Sequence, residues 1–211
     1  GSGFIVLVIV DYGIGNIKSI QNAFLRLGLS QPKLSNRYSD LSTAQGLILP
    51  GVGAFSTCMD NLERLKLINL LTELVVEQKK PVLGICVGMQ IMAETSTEGG
   101  LHKGFGWLPA NVVRLELSES FQVPHVGWND VTILRNDTIF ENLTDGSHFY
   151  FDHNYHIECP LSYVSATVEY DKTINVAVQR ENIFGVQFHP EKSANSGLKL
   201  FRGFVRYVER C

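Results

Sequence analysis

The sequence predicts an α/β fold: an open, mainly parallel twisted sheet with helices on both faces, extended by an added section of antiparallel strands. Three observations carry this. Phe4–Val10, Gly46–Leu49 and Pro81–Ile85 are short, continuous apolar runs, the pattern of strands buried on both faces. Segments with apolar residues at helical spacing lie between them, and strands alternating with helices build a parallel sheet covered on both sides. After Gly100 the texture shifts to short strand-like runs separated by turn signals.

The elements follow in order. Behind Phe4–Val10, the turn Asp11-Tyr12-Gly13-Ile14-Gly15-Asn16 leads into a helix carrying Ile17, Ile20, Phe24 and Leu27, with Gly28 as its stop. Gly46–Leu49 ends in Pro50-Gly51-Val52-Gly53. A longer helical stretch then places Met59, Leu62, Leu65, Ile68 and Leu71 on one face and closes in Glu77-Gln78-Lys79-Lys80. Pro81–Ile85 is the next strand and Val87–Ala93 the next helix. Val112–Leu117, Asp130–Leu134, His148–Phe151, Tyr163–Val168 and Asn175–Arg180 read as antiparallel strands appended to the sheet. Ile183–Phe188 returns to the sheet core, and Gly197–Val208 closes the chain as an amphipathic helix. With no repeat, low-complexity tract or linker, residues 4–211 form a single domain, and Gly1-Ser2-Gly3 reads as a cloning scar.

The bulk properties narrow the function. The 211 residues are 45% hydrophobic and 18% charged, with a net charge of -3. That balance supports neither nucleic acid nor an anionic membrane as a partner. Phe4–Val10 is too short to span a bilayer and lacks the flanks of a signal peptide. Cysteines at 58, 86, 159 and 211 form no C-x-x-C pair, so neither a zinc cage nor a disulfide framework is expected. The expectation is a cytoplasmic protein without metal or other cofactor.

The most informative segment is Leu83-Gly84-Ile85-Cys86-Val87-Gly88-Met89-Gln90. A strand entering Gly-x-Cys-x-Gly and then a helix is the cysteine form of a nucleophile elbow, whose glycines allow a tight turn that exposes the central side chain. The helix N-terminus favours thiolate, the species that attacks a carbonyl. An isolated cysteine between glycines is more often buried and inert, and Cys58, Cys159 and Cys211 have no comparable setting.

Gly185-Val186-Gln187-Phe188-His189-Pro190-Glu191 completes a triad. A nucleophilic thiol needs an imidazole to take and return its proton, and the imidazole needs a carboxylate to fix its tautomer. In an extended segment His189 and Glu191 point to the same side, and Pro190 biases His189 to extended geometry. Alone, the segment reads as a surface turn. Joined to Cys86 about a hundred residues upstream, it reads as a base and its orienter. Gly51, Val52 and Gly53 supply a loop whose backbone N–H groups suit an oxyanion hole.

Together these motifs resemble the class I (triad) glutamine amidotransferases. Within that family the segments Asp11–Asn16, Leu83–Gln90, Pro124-His125-Val126-Gly127-Trp128-Asn129 and His189-Pro190-Glu191-Lys192-Ser193 are similar to glutaminase subunits of imidazole glycerol phosphate synthase. The resemblance implies hydrolysis of L-glutamine to glutamate and ammonia by Cys86, His189 and Glu191. It also implies delivery of the ammonia to a (βα)8-barrel cyclase subunit in a heterodimer serving histidine biosynthesis. It implies an oxyanion loop at Gly51–Gly53 that forms after a peptide flip. Gln90, Glu98, Asn154 and Tyr155 take the places of substrate-binding residues, and Asn16, Trp128, Tyr150 and Lys192 those of residues at the partner interface and ammonia channel.

One stretch departs from the family pattern. Where these subunits have Tyr-Phe-Val-His-Ser-Tyr, this chain has Tyr150-Phe151-Asp152-His153-Asn154-Tyr155-His156, which sets a carboxylate beside the expected substrate site. Two other functions therefore remain open: a paralogous glutaminase feeding an amino- or amidino-sugar synthase of surface polysaccharide, and an inactive scaffold. A cysteine peptidase or esterase fits less well, because Gln90 and the Pro50–Gly53 loop suit a glutamine site. His153 and His156 lack the acidic or cysteine companions of a metal site.

Overall fold

The computed structural model describes residues 5–211; Gly1–Gly3, expected to be a cloning scar, and Phe4 lie outside the described residues. The main sheet has eight strands: β1 (Leu7–Val10), β2 (Lys33–Ser35), β3 (Gly46–Leu49), β4 (Val82–Ile85), β9 (Thr132–Ile133), β12 (Val164–Tyr170), β13 (Lys172–Arg180) and β14 (Ile183–Val186). Their order is β2-β1-β3-β4-β14-β13-β12-β9. The first five are mutually parallel and the last three are joined antiparallel. The remaining strands form two small sheets. β8 (His125–Asp130) pairs with β10 (His148–His153), while β5 (Thr95–Ser96), β6 (His102–Lys103), β7 (Asn111–Arg114) and β11 (Tyr155–Glu158) make the other.

Every residue of β1, β3, β4 and β14 is buried, as continuous apolar strands require when both faces are covered. The helices are α1 (Ile17–Arg26), α2 (Tyr38–Thr43), α3 (Phe55–Arg64), α4 (Ile68–Thr72), α5 (Val87–Gln90) and α6 (Ala194–Glu209). Neighbouring residues of β14 show the two layers. Phe184 meets Phe204 and Tyr207 of α6, whereas a Cβ on Gly185 would meet Met89 of α5. Adjacent strand residues point to opposite faces, so α5 and α6 cover opposite sides. α1 joins α6 through Phe24 and Phe201, centroids 5.0 Å apart. No helix among the described residues is long and apolar enough to cross a membrane.

Several local expectations change. The helical stretch after Gly53 is not continuous: Lys66 has φ 59, which breaks α3 from α4, and α4 runs on as a wider π turn over Glu73–Glu77. The helix expected over Val87–Ala93 is regular only to Gln90. Of the strands expected on the sheet edge, Val112–Leu117 and His148–Phe151 belong to the small sheets instead. Asp130–Leu134 is divided between β8 and β9. The half-exposed β2 and the short α2 and β11 carry too little apolar pattern to be read from sequence.

Candidate active site

β4 ends in Cys86, whose φ of 56 and ψ of -115 are an unfavourable backbone conformation for a residue with a Cβ. The sheet holds it there. The Cys86 N–H donates to the Val186 carbonyl of adjacent β14 at 2.8 Å, and the Cys86 carbonyl accepts from Met89 and Gln90 at 3.0 and 3.2 Å. Gly88 is required by close approach: a Cβ there would sit 2.0 Å from the Leu49 carbonyl oxygen. This brings the end of β3, and with it Pro50–Gly53, directly against the elbow.

β14 runs parallel to β4, so its exit delivers His189 to the same end of the sheet. The imidazole stands with Cys86 in the same cavity, and its Nδ1 lies 2.9 Å from Glu191 Oε2. His189 is extended, as expected, but Glu191 reaches it differently. Pro190–Lys192 form a 3-10 turn, and this turn, rather than strand alternation, folds the carboxylate back onto the imidazole. Burial opposes an imidazolium here, but the Cys86 and Glu191 contacts outweigh it and raise the His189 pKa to about 10. The geometry therefore favours an imidazolium beside the sulfur.

A cavity of about 410 Å³ opens over this triad, lined by Cys86, His189, Val52, Gln90, Glu98 and Asp152 among others. Gln90 donates to the Tyr155 carbonyl at 3.2 Å and to Gln187 Oε1 at 3.0 Å. Glu98 is held at the start of α3, accepting from the Phe55 N–H at 2.7 Å. Asn154 and Tyr155 form the opposite wall; the Tyr155 carbonyl also accepts from His153 Nδ1 at 2.8 Å, and the Asn154 carbonyl accepts from Leu115. All four residues expected to bind substrate thus line one cavity.

The Gly51–Gly53 loop borders it too, but its donors are not turned inward. The Val87 N–H donates to the Gly51 carbonyl at 3.3 Å, so the amide beside the nucleophile is occupied. A Cβ on Gly51 would lie 2.3 Å from the Gly88 nitrogen, so only glycine permits this contact.

Among the residues expected at a partner face, Trp128 is 54% exposed and meets Tyr150 edge-on with centroids 6.3 Å apart. Lys192 Nζ lies 5.7 Å above the Tyr150 ring. The three form one surface group beside the cavity. Asn16 lines the same cavity as Lys192. It begins α1 without a side-chain cap, and its Nδ2 donates to Glu191 Oε2 at 2.9 Å.

Sequence reasoning passes over Gln187, which is fully buried and bridges Gln90 and the Cys86 sulfur, the latter at 3.8 Å. Its signal is present: it lies on the same side of the extended segment as His189. Reasoning also passes over His125, whose Nδ1 is 2.9 Å from His153 Nε2. Asn129 Nδ2, 3.3 Å from His125 Nε2, completes a chain running to the Tyr155 carbonyl. His153 is thus committed to this chain, and His156 approaches Glu158 at 3.8 Å.

The chain is similar to known proteins over nearly its whole length. The family model of glutamine amidotransferase class-I matches residues 8–206. The imidazole glycerol phosphate synthase subunit HisH 2 of Vibrio vulnificus is 46% identical over 96% of this chain and 95% of its own. Its counterpart HisH 1 of Campylobacter jejuni subsp. jejuni is 40% identical over 95% of this chain and 100% of its own. A crystal structure of a glutamine amidotransferase from Thermotoga maritima shares the fold, with a TM-score of 0.65 at 18% identity, covering 99% of this chain and 85% of that one. With the triad geometry and a match over nearly its whole length, the chain belongs to the class I glutamine amidotransferase family.

Proposed function

We propose that the chain is the glutaminase subunit of an imidazole glycerol phosphate synthase. In this reading it hydrolyses L-glutamine through Cys86, His189 and Glu191. It passes the ammonia to a (βα)8-barrel cyclase partner in a cytoplasmic heterodimer. The observation that carries the chemistry is that Cys86 and His189 line one cavity with Glu191 buried behind the imidazole and bonded to its Nδ1.

The Cys86 thiolate attacks the γ-amide carbon, and the electron pair of the carbonyl moves to oxygen. As the C–N bond breaks, His189 returns a proton to the leaving nitrogen, which departs as ammonia. A glutamyl thioester remains. His189 then takes a proton from water, whose oxygen attacks the thioester and expels the Cys86 thiolate. Glu191 holds the imidazole through Nδ1 and leaves Nε2 for these transfers. Glu98 suits the substrate ammonium, Gln90 and the 154–155 backbone its amino-acid head. Trp128, Tyr150 and Lys192 form the face toward the partner.

The oxyanion needs backbone donors, and here the Val87 N–H is bound to Gly51. Rotating the Gly51–Val52 peptide frees it and turns the Val52 N–H inward, since the C=O and N–H of one trans peptide point opposite ways. A low basal rate raised by the partner follows. Equal rates with and without the synthase partner would refute that step.

Cys86→Ala is expected to abolish glutamine-dependent turnover of the complex while ammonia-dependent turnover persists. Normal use of glutamine by the mutant complex would overturn the assignment. A second reading, supply of ammonia to an amino- or amidino-sugar synthase, is favoured by Asp152 in the cavity wall. Stimulation of glutaminase by such a synthase, and none by a cyclase, would decide for it. Failure of a glutamine-analogue electrophile to label Cys86 even with the partner present would instead support an inactive scaffold.

A further inference from the structure

Beneath the Pro50–Gly53 loop lies a buried polar pair outside the triad and the substrate wall. Tyr12 is 1% exposed and Cys58 0%. The Tyr12 hydroxyl donates to the Pro50 carbonyl, and the Cys58 sulfur lies 3.7 Å from the Val52 carbonyl. The two side chains are close enough to influence each other electrostatically. Asn61 of α3 steadies the pair from behind, its Nδ2 donating to the Tyr12 carbonyl at 3.0 Å. Neither group is suited to proton transfer. Burial keeps the Tyr12 hydroxyl well above its ordinary range and pushes the Cys58 thiol up to about 11.

The spacing of the two acceptors is what matters. The Pro50 carbonyl belongs to the peptide before the one that must rotate, and the Val52 carbonyl to the peptide after it. The rotating Gly51–Val52 unit, whose carbonyl meets Val87 N–H, lies between two anchors supplied by different elements. With its neighbours fixed, such a unit turns by paired changes of ψ at Gly51 and φ at Val52, the two soft torsions flanking a planar peptide. The loop ends stay where they are, so the Val52 N–H has a defined place to arrive.

We propose that Tyr12 and Cys58 are positioning residues that pin the two flanking carbonyls and confine the oxyanion switch to the single Gly51–Val52 peptide. The proposal rests on the glutaminase reading. Their contribution is to the transition state, in which the oxyanion exists, and not to glutamine binding.

The test uses the chain with its cyclase partner and L-glutamine, and compares Tyr12→Phe, Cys58→Ala and Cys58→Ser with the parent. Tyr12→Phe keeps the ring and removes the donor; kcat is expected to fall about ten-fold, less than the loss of an oxyanion donor itself, with KM changed less than about two-fold. Cys58→Ser replaces the thiol donor with a hydroxyl and is expected to keep more of the rate than Cys58→Ala. Alkylation of Cys86 by iodoacetamide, followed by peptide mapping, forms no oxyanion and is expected to proceed at the parent rate in all three. A Tyr12→Phe kcat within two-fold of the parent, or alkylation falling in parallel with kcat, would overturn the proposal. If the parent complex does not hydrolyse glutamine at all, the glutaminase reading fails instead.

Discussion

Asn16 and Glu191 stand 175 residues apart in the chain, yet Asn16 Nδ2 lies 2.9 Å from Glu191 Oε2, the same oxygen that meets His189. The first turn after β1 is thereby tied to the acid of the triad. The other Glu191 oxygen is buried and has no hydrogen-bond partner among the described residues. The carboxylate thus depends on few donors. Removing Asn16 removes one of them. Asn16→Ala is expected to lower kcat/KM for glutamine about ten-fold, the scale of one hydrogen bond to a charged group. Ammonia-dependent turnover of the complex serves as the control. Asn16→Asp is expected to do worse, since it sets a second carboxylate against the first.

The strained backbone of Cys86 gives a prediction of opposite sign for stability. At φ 56 a side chain is disfavoured and glycine is not. Cys86→Gly is expected to abolish glutamine turnover and to stabilise the fold by about 1 kcal/mol, a rise in Tm of about 2–4 °C for a chain of this size. Cys86→Ala, which keeps a Cβ, is expected to show no such gain. Calorimetry on the three proteins makes the comparison.

These features are legible to different degrees. Cys86, His189 and the Pro50–Gly53 loop can be read because strands buried on both faces are continuous apolar runs, and the residues directly after them lie at one end of the sheet. Gln90 can be read as one helical turn past the nucleophile. Asn16 is placed at the partner face by the family resemblance alone, and nothing in its neighbours indicates its bond to Glu191. His125 looks like any residue of a turn-rich segment, because its partner His153 sits on another strand. The break at Lys66 is hidden by an apolar period that continues on both sides of it. Local pattern reports which face is buried; pairings between distant polar groups are decided by the assembled fold.

The His125–His153 pair makes acid stability measurable. Burial lowers His125 to about 4 and His153 to about 3, so in the folded protein both are neutral well below the ordinary histidine range. The unfolded chain binds these protons first. Stability is therefore complete above about pH 6.5 and is lost as pH falls toward the folded values, by about 2 kcal/mol for each histidine at pH 5. His189 runs the other way. Its raised pKa contributes stability that is full below about pH 6.5 and disappears as pH rises toward 10. Urea titrations from pH 4 to 8 are expected to show a shallower acid limb in His125→Asn than in the parent. Superimposable limbs would count against the buried neutral pair.

Gly197 connects helix packing to the triad. In the first turns of α6, a Cβ at this position would lie 1.8 Å from the Pro190 carbonyl oxygen, in the turn that carries Glu191. Backbone has little room to yield, so Gly197→Ala is expected to cost about 1–3 kcal/mol. It is also expected to reduce glutamine turnover in the fraction that remains folded. Activity normalised to folded protein, measured by circular dichroism, separates the two effects. Unchanged specific activity would mean that the turn moves without disturbing Glu191.

The hydrogen bond from Cys86 N–H to the Val186 carbonyl has a consequence for how the molecule fails. The strands that lead to nucleophile and base are neighbours in one parallel ladder, but His189 itself is fastened to β10, its N–H donating to the Tyr150 carbonyl at 3.0 Å. Heating that loosens the ribbon of β8 and β10 therefore frees the imidazole while the sulfur stays on the central ladder. The partnership of thiol and imidazole should then be lost first, with the sulfur left in place until the central ladder itself comes apart.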